Sequence, residues 1–261
     1  MNKILIIGRK SFLGSNLNIY LSKHFDVDIY SFEKILLKKI KFFDQYTHII
    51  NTSMHPNYMK EKYTKKFDLD LIFVSKFKRI NFFYIFLNSR KVYLQQNQIT
   101  EKSKLKPLNQ YAKNKLTTEK LLQRKIKKRL ISLRISNVLG NRIFKNNRNN
   151  HKLFFDNFLL LKNKKYLIVN NDYKDFITID QFCKVVMEII KHNIYGIYNV
   201  SLGKKVLVSE LISWLDKNFY KRIKFIDVQT DSFTLSNKKL LSRIQIHLTK
   251  NQVKAFCKKL L

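Results

Sequence analysis

Short apolar runs alternate with amphipathic segments through the first half of the chain. The run at residues 3–7 ends at Gly8 and is typical of a strand that is buried on both faces. Residues 12–24 follow it with apolar side chains at helical spacing. Further strand-like runs occur at residues 27–30, 47–51, 82–87, 130–135 and 194–200. Strands that alternate with helices predict an α/β protein with a parallel sheet and right-handed crossovers.

The second half of the chain is less regular. No internal repeat and no Pro- or Gly-rich linker divides it, so we expect the later segments to pack over the sheet. Residues 144–152 are rich in Asn, Lys and Arg and predict a loop. Helices are also predicted at residues 63–77, 116–128, 180–192, 209–219 and 249–261.

Residue usage favours a folded globular protein, because 45% of the 261 residues are hydrophobic. Cys183 and Cys257 form no CxxC pair, which predicts a reduced, cytoplasmic setting. No apolar run reaches the length of a membrane span, and we expect no signal peptide. The six histidines lack metal-ligand spacing, so we predict that they lie at the surface or at helix ends and that there is no metal site.

The net charge of +34 arises from 52 Lys and Arg against 18 Asp and Glu. Such a charge is typical of proteins that bind nucleic acid, anionic membranes or polyanionic substrates. The basic residues are spread along the whole chain, however, and Asn, Ile and Phe are abundant with Lys. We attribute this joint bias to an AT-rich genome, and we expect no specific nucleic-acid partner. The surface should still attract anions, which would help a phosphate-bearing ligand to arrive.

The turn after the first strand predicts a phosphate site. A strand, a glycine turn and a helix N-terminus bring unpaired N–H groups and the positive end of a helix dipole to one point. Glycines allow a tight turn and close approach to a pyrophosphate, although Ser11 replaces a middle glycine here. The predicted dinucleotide-binding residues of this turn are Gly8, Arg9, Lys10, Ser11, Phe12, Leu13 and Gly14.

The residue after the second strand bears on the choice of cofactor. Ser31 stands where NAD enzymes carry an acidic residue for the ribose hydroxyls. The nearby cations Arg9, Lys10 and Lys34 favour a 2′-phosphate, which predicts NADP. Glu33 could serve the ribose instead, so NAD stays an alternative.

Tyr111 and Lys115 are four residues apart at the start of a predicted helix. Residues at this spacing lie on one helix face, which places the phenol beside the ammonium. A nearby positive charge favours the phenolate and lowers the pKa of a tyrosine. A phenol of this kind can exchange a proton with a carbonyl or alcohol oxygen.

The glycine turn, Ser89, Tyr111 and Lys115 together resemble the short-chain dehydrogenase/reductase superfamily. The closest likeness is to its extended branch of nucleotide-sugar epimerases, dehydratases and reductases. In residues 87–93, Ser89 lies three residues before a Val-Tyr pair, as in that branch. The other segments that match in order are residues 133–140, 173–180 and 196–200.

This resemblance implies a Rossmann-type doubly wound parallel sheet with a small, interleaved C-terminal substrate-binding part. Residues 1–140 and about 176–200 would form the NAD(P)-binding domain, and about 141–175 and 201–261 the smaller part. Tyr111 would be the acid/base, Lys115 would hold the nicotinamide ribose, and Ser89 would bind the reacting oxygen. We also assign Asn51 to the cofactor site.

By the same resemblance, the substrate is a nucleotide sugar. Asn137 stands at a substrate position of the branch, and Arg142 and Arg148 are candidates for holding the diphosphate. Arg90 and Lys91 stand where 4,6-dehydratases carry an Asp-Glu pair, which disfavours dehydration.

We therefore expect a reductase of a 4-keto-6-deoxy-hexose nucleotide that acts in polysaccharide biosynthesis. A 4-epimerase is the alternative within the branch, and a non-catalytic basic binding protein is the alternative from another class. The resemblance also implies a homodimer.

Overall fold

The computed structural model describes residues 2–144 and 153–260. Within them, six strands form one fully parallel sheet in the order β10-β5-β4-β3-β1-β2. The strands of the protein are β1 Lys3–Ile7, β2 Asp26–Tyr30, β3 His48–Asn51, β4 Phe83–Ser89, β5 Leu130–Ile135, β6 Asn137–Leu139, β7 Leu167–Asn170, β8 Tyr173–Lys174, β9 Phe176–Thr178, β10 Gly196–Val200, β11 Val206–Leu207 and β12 Ile223–Ile226. The predicted α/β fold with a parallel sheet is confirmed.

Helices connect these strands and cover the sheet. The α-helices are α1 Phe12–Leu21, α2 Phe32–Leu36, α3 Leu69–Ser75, α4 Gln110–Ile126, α5 Phe154–Leu161, α6 Ile179–Lys191, α7 Val208–Leu215, α8 Lys217–Tyr220, α9 Lys238–Leu241 and α10 Lys250–Cys257. Short 3₁₀ helices lie at Ile40–Gln45, Pro56–Met59, Lys65–Phe67, Arg90–Val92 and Lys127–Arg129.

The order in which strands are added to the sheet reverses between β1 and β3. The chain runs outward from β1 to β2 and then returns to the other side of β1. After β2 the chain passes through α2 and a 3₁₀ helix, and among the described residues β2 is the last strand on this side of the sheet, which the commonest dinucleotide-binding sheets extend by a third strand. Ligands of open α/β sheets bind at the carboxyl ends of the strands where the order reverses, which places a crevice after β1 and β3.

Both faces of the sheet are buried. Ile4 and Ile6 of β1 face a core that α1 and α6 complete, whereas Leu5 and Ile7 face a core with α3 and α4. This alternation explains why β1 is a continuous apolar run.

The later segments contribute a third apolar core around α5, α7 and α10. Three two-stranded sheets also occur among the described residues, and they pair β7 with β12, β8 with β11 and β6 with β9. The division of the chain into two domains stays a prediction.

Some local predictions differ from the structure. The helix expected at 209–219 breaks at Asp216, whose carboxylate accepts hydrogen bonds from the N–H groups of Asn218 and Phe219 (2.9 Å each) and so starts α8. The helix expected at 63–77 begins only at Leu69, because Asp68 caps it. The predicted loop at 144–152 lies outside the described residues except for Phe144.

The prediction for the histidines is wrong for His48. This residue is fully buried in β3, and its ring stacks on Phe83 with 5.2 Å between centroids. Burial lowers the pKa of its imidazole to about 4. Among residues 2–144 and 153–260, no helix is long and apolar enough to cross a membrane.

Candidate active site

The turn after β1 is built around Gly8. This residue has a φ of +116°, which residues with a side chain rarely adopt. Its N–H donates to the carbonyl oxygen of Tyr30 at the end of β2 (2.7 Å). A Cβ atom on Gly8 would lie 2.4 Å from Thr52 Oγ1, and one on Gly14 would lie 2.5 Å from the Gly8 carbonyl oxygen. The two glycines therefore let the turn, α1 and the end of β3 approach closely.

Ser11 has a local role that explains its presence in a glycine turn. Its Oγ accepts a hydrogen bond from the N–H of Gly14 (2.9 Å) and so caps α1. The same hydroxyl donates to Thr52 Oγ1 (2.6 Å), and Thr52 donates to the carbonyl of Ile7 (2.8 Å). The Ser11 hydroxyl thus caps α1 and joins the turn to the end of β3.

Ser11→Ala is expected to destabilise the protein by about 1 kcal/mol, because an N-cap hydroxyl is lost. Ser11→Gly is the matched control and should cost only a few tenths of that, since glycine is itself tolerated at an N-cap. Urea unfolding of the two variants without ligand measures the difference. Equal losses in both would show that the cap does not stabilise this turn.

The residues predicted to choose between NADP and NAD lie at the same edge of the sheet. Ser31 directly follows β2 and stands at the N-cap of α2, where its hydroxyl makes no capping bond. Arg9 and Lys10 are exposed in the turn, and Lys34 is exposed on α2. Because β2 lies beside β1 in a parallel pair, the residues that follow the two strands lie at the same edge of the sheet.

Asn51, at the end of β3, is buried, and both ends of its carboxamide are engaged. Its Nδ2 donates to Asp70 Oδ1 (3.0 Å), and its Oδ1 accepts from the N–H of Ser53 (2.9 Å). Tyr84 also donates to Asp70 (2.8 Å). Burial raises the pKa of Asp70 to about 6, while the positive charge of Lys115 opposes that rise. Asn51 therefore links the crevice to the surroundings of Lys115.

Tyr111 and Lys115 lie in the first two turns of α4, one helical turn apart. Asn109 caps this helix by accepting from the N–H of Ala112 (2.9 Å). Lys115 is only 7% exposed, and its Nζ lies 4.5 Å from the ring centroid of Phe86 and 5.6 Å from that of Tyr58. These two rings fix the ammonium beside the sheet.

Ser89 is the last residue of β4, and α4 packs against both β4 and the 3₁₀ helix that follows it. Its Oγ accepts from the N–H of Lys91 (3.3 Å), and its own N–H donates to Asn88 Oδ1 (2.7 Å). The structure thus brings the segment of Ser89 against the helix that carries Tyr111 and Lys115.

A cavity of about 170 Å³ lies between the end of β4 and the start of α4. The lining residues are Arg90, Lys91, Tyr93, Gln95, Ile99, Leu108, Asn109, Asp231 and Phe233.

Arg90 closes one side of this cavity. Its guanidinium makes two hydrogen bonds to Asp231 (2.9 and 2.7 Å) and lies 3.5 Å from the ring centroid of Phe233. Lys174 also binds Asp231 (2.8 Å). Burial acts to raise the pKa of Asp231, but Arg90 and Lys174 outweigh it and lower that pKa to about 2. The two cations therefore favour the ionised form of this carboxylate.

The residues predicted to bind substrate are placed differently from one another. Asn137 begins β6, and its Nδ2 is buried without a hydrogen-bond partner in the part of the chain described. Arg142 donates to Asp156 (3.1 and 3.0 Å), and its guanidinium lies 6.0 Å from the ring centroid of Phe12 at the start of α1. Arg148 lies outside the described residues. No group of His, Cys, Asp and Glu within residues 2–144 and 153–260 could hold a metal ion.

The family model of the NAD dependent epimerase/dehydratase family matches residues 39–201, which is more than half of the chain. This chain belongs to that family. The predicted family, and with it an NAD(P)-dependent enzyme of this kind, is confirmed. No curated protein matches the chain in sequence.

Solved structures of similar fold include members with different reactions. UDP-glucuronic acid 4-epimerase from Bacillus cereus, in complex with NAD, is 18% identical with a TM-score of 0.77 over 99% of this chain and 95% of the other. RMD from Pseudomonas aeruginosa, complexed with NADPH, is 17% identical with a TM-score of 0.72 over 100% and 98%. A dTDP-4-dehydrorhamnose reductase from Clostridium acetobutylicum is 15% identical with a TM-score of 0.71 over 99% and 98%. At these identities the likeness shows the fold, and the Rossmann-type architecture is confirmed.

Several residues at or near the site were not evident from the sequence. Glu119, which is buried on α4 one turn after Lys115, continues the four-residue spacing of Tyr111 and Lys115, a signal that could have identified it. Asp231 meets Arg90 across 141 residues of chain, and nothing in the sequence indicates that pairing. Thr52 follows β3 without any local motif.

Proposed function

We propose that the protein is an NADP(H)-dependent reductase that reduces the C4 carbonyl of a 4-keto-6-deoxy-hexose nucleotide. The observation that carries this proposal is the placement of Ser89 at the end of β4, whose strand packs against the helix of Tyr111 and Lys115, next in sequence to Arg90 of the 170 Å³ cavity. Proton donors and acceptors of this kind act on an oxygen within hydrogen-bond reach.

The turn after β1 supports the binding of a dinucleotide. The positive φ of Gly8 favours a residue without a side chain in the turn. The start of α1 offers N–H groups to a pyrophosphate. Arg9, Lys10 and Lys34 support NADP over NAD, since Ser31 offers no carboxylate to repel a 2′-phosphate.

When bound, the nicotinamide supplies the hydride. In the proposed reaction the Ser89 hydroxyl donates a hydrogen bond to the C4 oxygen and orients it. Tyr111 gives that oxygen its proton as the negative charge develops. Lys115, held between the rings of Phe86 and Tyr58, supplies a fixed positive charge that favours the phenolate left on Tyr111.

The cavity supports reduction over dehydration. Elimination of water needs an acid and a base beside the sugar, whereas Arg90 and Lys91 occupy the two positions after Ser89. The carboxylate that does line the cavity, Asp231, has a pKa of about 2 because of Arg90 and Lys174, and so it holds no proton to donate.

We further propose a cytoplasmic location and a homodimer. Two buried, free cysteines support a reducing compartment, and the family resemblance supports the dimer.

Purified protein incubated with NADPH and a panel of 4-keto-6-deoxy sugar nucleotides tests the proposal. We expect stoichiometric loss of reduced nicotinamide absorbance and a product with a C4 hydroxyl by NMR, with slower turnover by NADH. Tightly retained NAD with interconversion of 4-hydroxyl sugar nucleotides would instead show a 4-epimerase. Salt-sensitive binding to RNA without any cofactor binding would show a basic binding protein.

A further inference from the structure

Residues 88–93, which include Ser89, are connected at their start to the buried carboxylate of Glu119 on α4. Asn88 Nδ2 donates to Glu119 Oε1 (2.9 Å). The other end of the same carboxamide, Asn88 Oδ1, accepts from the N–H of Ser89 (2.7 Å). One side chain therefore joins the backbone of Ser89 to Glu119.

The far end of the segment reaches the same acid through an arginine. Tyr93 accepts at its hydroxyl from Arg134 NH1 (2.8 Å) and donates to Asn199 Oδ1 (2.8 Å). Arg134 in turn pairs with Glu119 through NH2 to Oε2 (2.5 Å) and Nε to Oε1 (3.2 Å). The side chains of Arg134 and Glu119 are 3% and 1% exposed, so this pair is shielded from water.

Glu119 shares a helix face with the two proposed catalytic residues. Tyr111, Lys115 and Glu119 follow one another at intervals of four residues on α4. The Glu119 carboxylate, which bonds Asn88 directly and Tyr93 through Arg134, is therefore part of the same helix as Tyr111.

We propose that Glu119 is a positioning residue that fixes Ser89 relative to Tyr111, with Asn88 and the Arg134–Tyr93 pair as its two connections. This inference rests on the proposed function for the roles of Ser89 and Tyr111. A displacement of about 1 Å between reacting groups can cost on the order of 10²-fold in rate, so loosening either connection should act on kcat.

Asn88→Ala tests the first connection without leaving a charge unpaired, since Glu119 keeps Arg134 and Ser132 as donors. We expect kcat to fall about 10- to 100-fold while the KM for the cofactor changes less than about twofold. In a Ser89→Ala background, the same substitution should cause less than about a twofold further loss, because its effect acts through Ser89. Tyr93→Phe should show the same dependence on Ser89.

Thr118→Val is the matched control on the same helix. Thr118 is buried and bonds Tyr58 and Asp68 (2.6 Å each) but none of residues 88–93. Any loss of kcat that it causes should be the same with Ser89 and with Ser89→Ala. If Asn88→Ala also lowers kcat equally in both backgrounds, or does not lower it, the proposal is overturned.

Hydrogen exchange separates this inference from the assignment of the reaction. The N–H of Ser89 is protected by Asn88, so Asn88→Ala should speed exchange of the Ser89 amide at least about tenfold while the amides of β1 keep their rates. This readout needs no substrate. Unchanged exchange at Ser89 would overturn the positioning role even in an active enzyme, whereas an inactive wild-type protein with this exchange pattern would overturn only the proposed reaction.

Discussion

Tyr111→Phe is expected to lower kcat by about 10²- to 10⁴-fold, the range that a positioned general acid contributes. The substitution removes one hydroxyl and keeps the ring at the start of α4, so folding and cofactor binding should be preserved. NADPH oxidation under saturating sugar nucleotide measures the rate, and cofactor quenching of protein fluorescence measures binding.

Tyr46→Phe is the matched control for this result. Tyr46 donates its hydroxyl to Asp28 (2.6 Å) on β2, away from the cavity beside α4. We expect it to keep wild-type kcat. A Tyr111→Phe enzyme that retains more than about a tenth of the wild-type kcat would contradict the assignment, and the proton would then have to come from another group at the cavity, such as Lys91.

The strands and the glycine turn after β1 could be predicted because their signals are local. A buried parallel strand is a continuous apolar run, and the runs at β1, β4 and β5 have few polar interruptions. The spacing of Tyr111 and Lys115 is likewise a property of one helix. Each of these features depends on residues within a short stretch of chain, so periodicity is enough to find it.

The walls of the cavity could not be predicted because they join distant segments. Arg90 has the sequence signal of one more cation in a chain of net charge +34. Its partner Asp231 comes from a stretch between β12 and α9 that has no regular structure. The break at Asp216 was missed for a related reason, since the apolar period continues through it while one side-chain cap redirects the backbone.

The structure explains why serine replaces a glycine of the family pattern at position 11. Viewed as a missing glycine, it suggests crowding at the pyrophosphate. In the structure its hydroxyl accepts a hydrogen bond from the N–H of Gly14 and donates one to Thr52, so it stabilises the turn. The same reasoning applies to Arg90, which stands where the dehydratases carry an acid and which pairs here with Asp231 from a distant part of the chain.

Arg134→Met is expected to cost about 3–5 kcal/mol of stability, because it leaves Glu119 as an uncompensated charge in the core. Lys191→Met is the control, since Lys191 pairs with Glu188 at the surface of α6 and should cost less than about 1 kcal/mol. Urea unfolding compares them. A loss from Arg134→Met no larger than that of the control would show that the buried pair does not stabilise the fold.

The double variant Arg134→Met with Glu119→Leu separates stability from positioning. Replacing both members of a buried pair by apolar side chains removes the lone charge, so much of the stability lost in Arg134→Met should return. Asn88 and Tyr93 still lose their connections to α4, and kcat should therefore stay low. Recovery of both stability and kcat would mean that the pair serves only the fold, and that Ser89 is held in place by the strand alone.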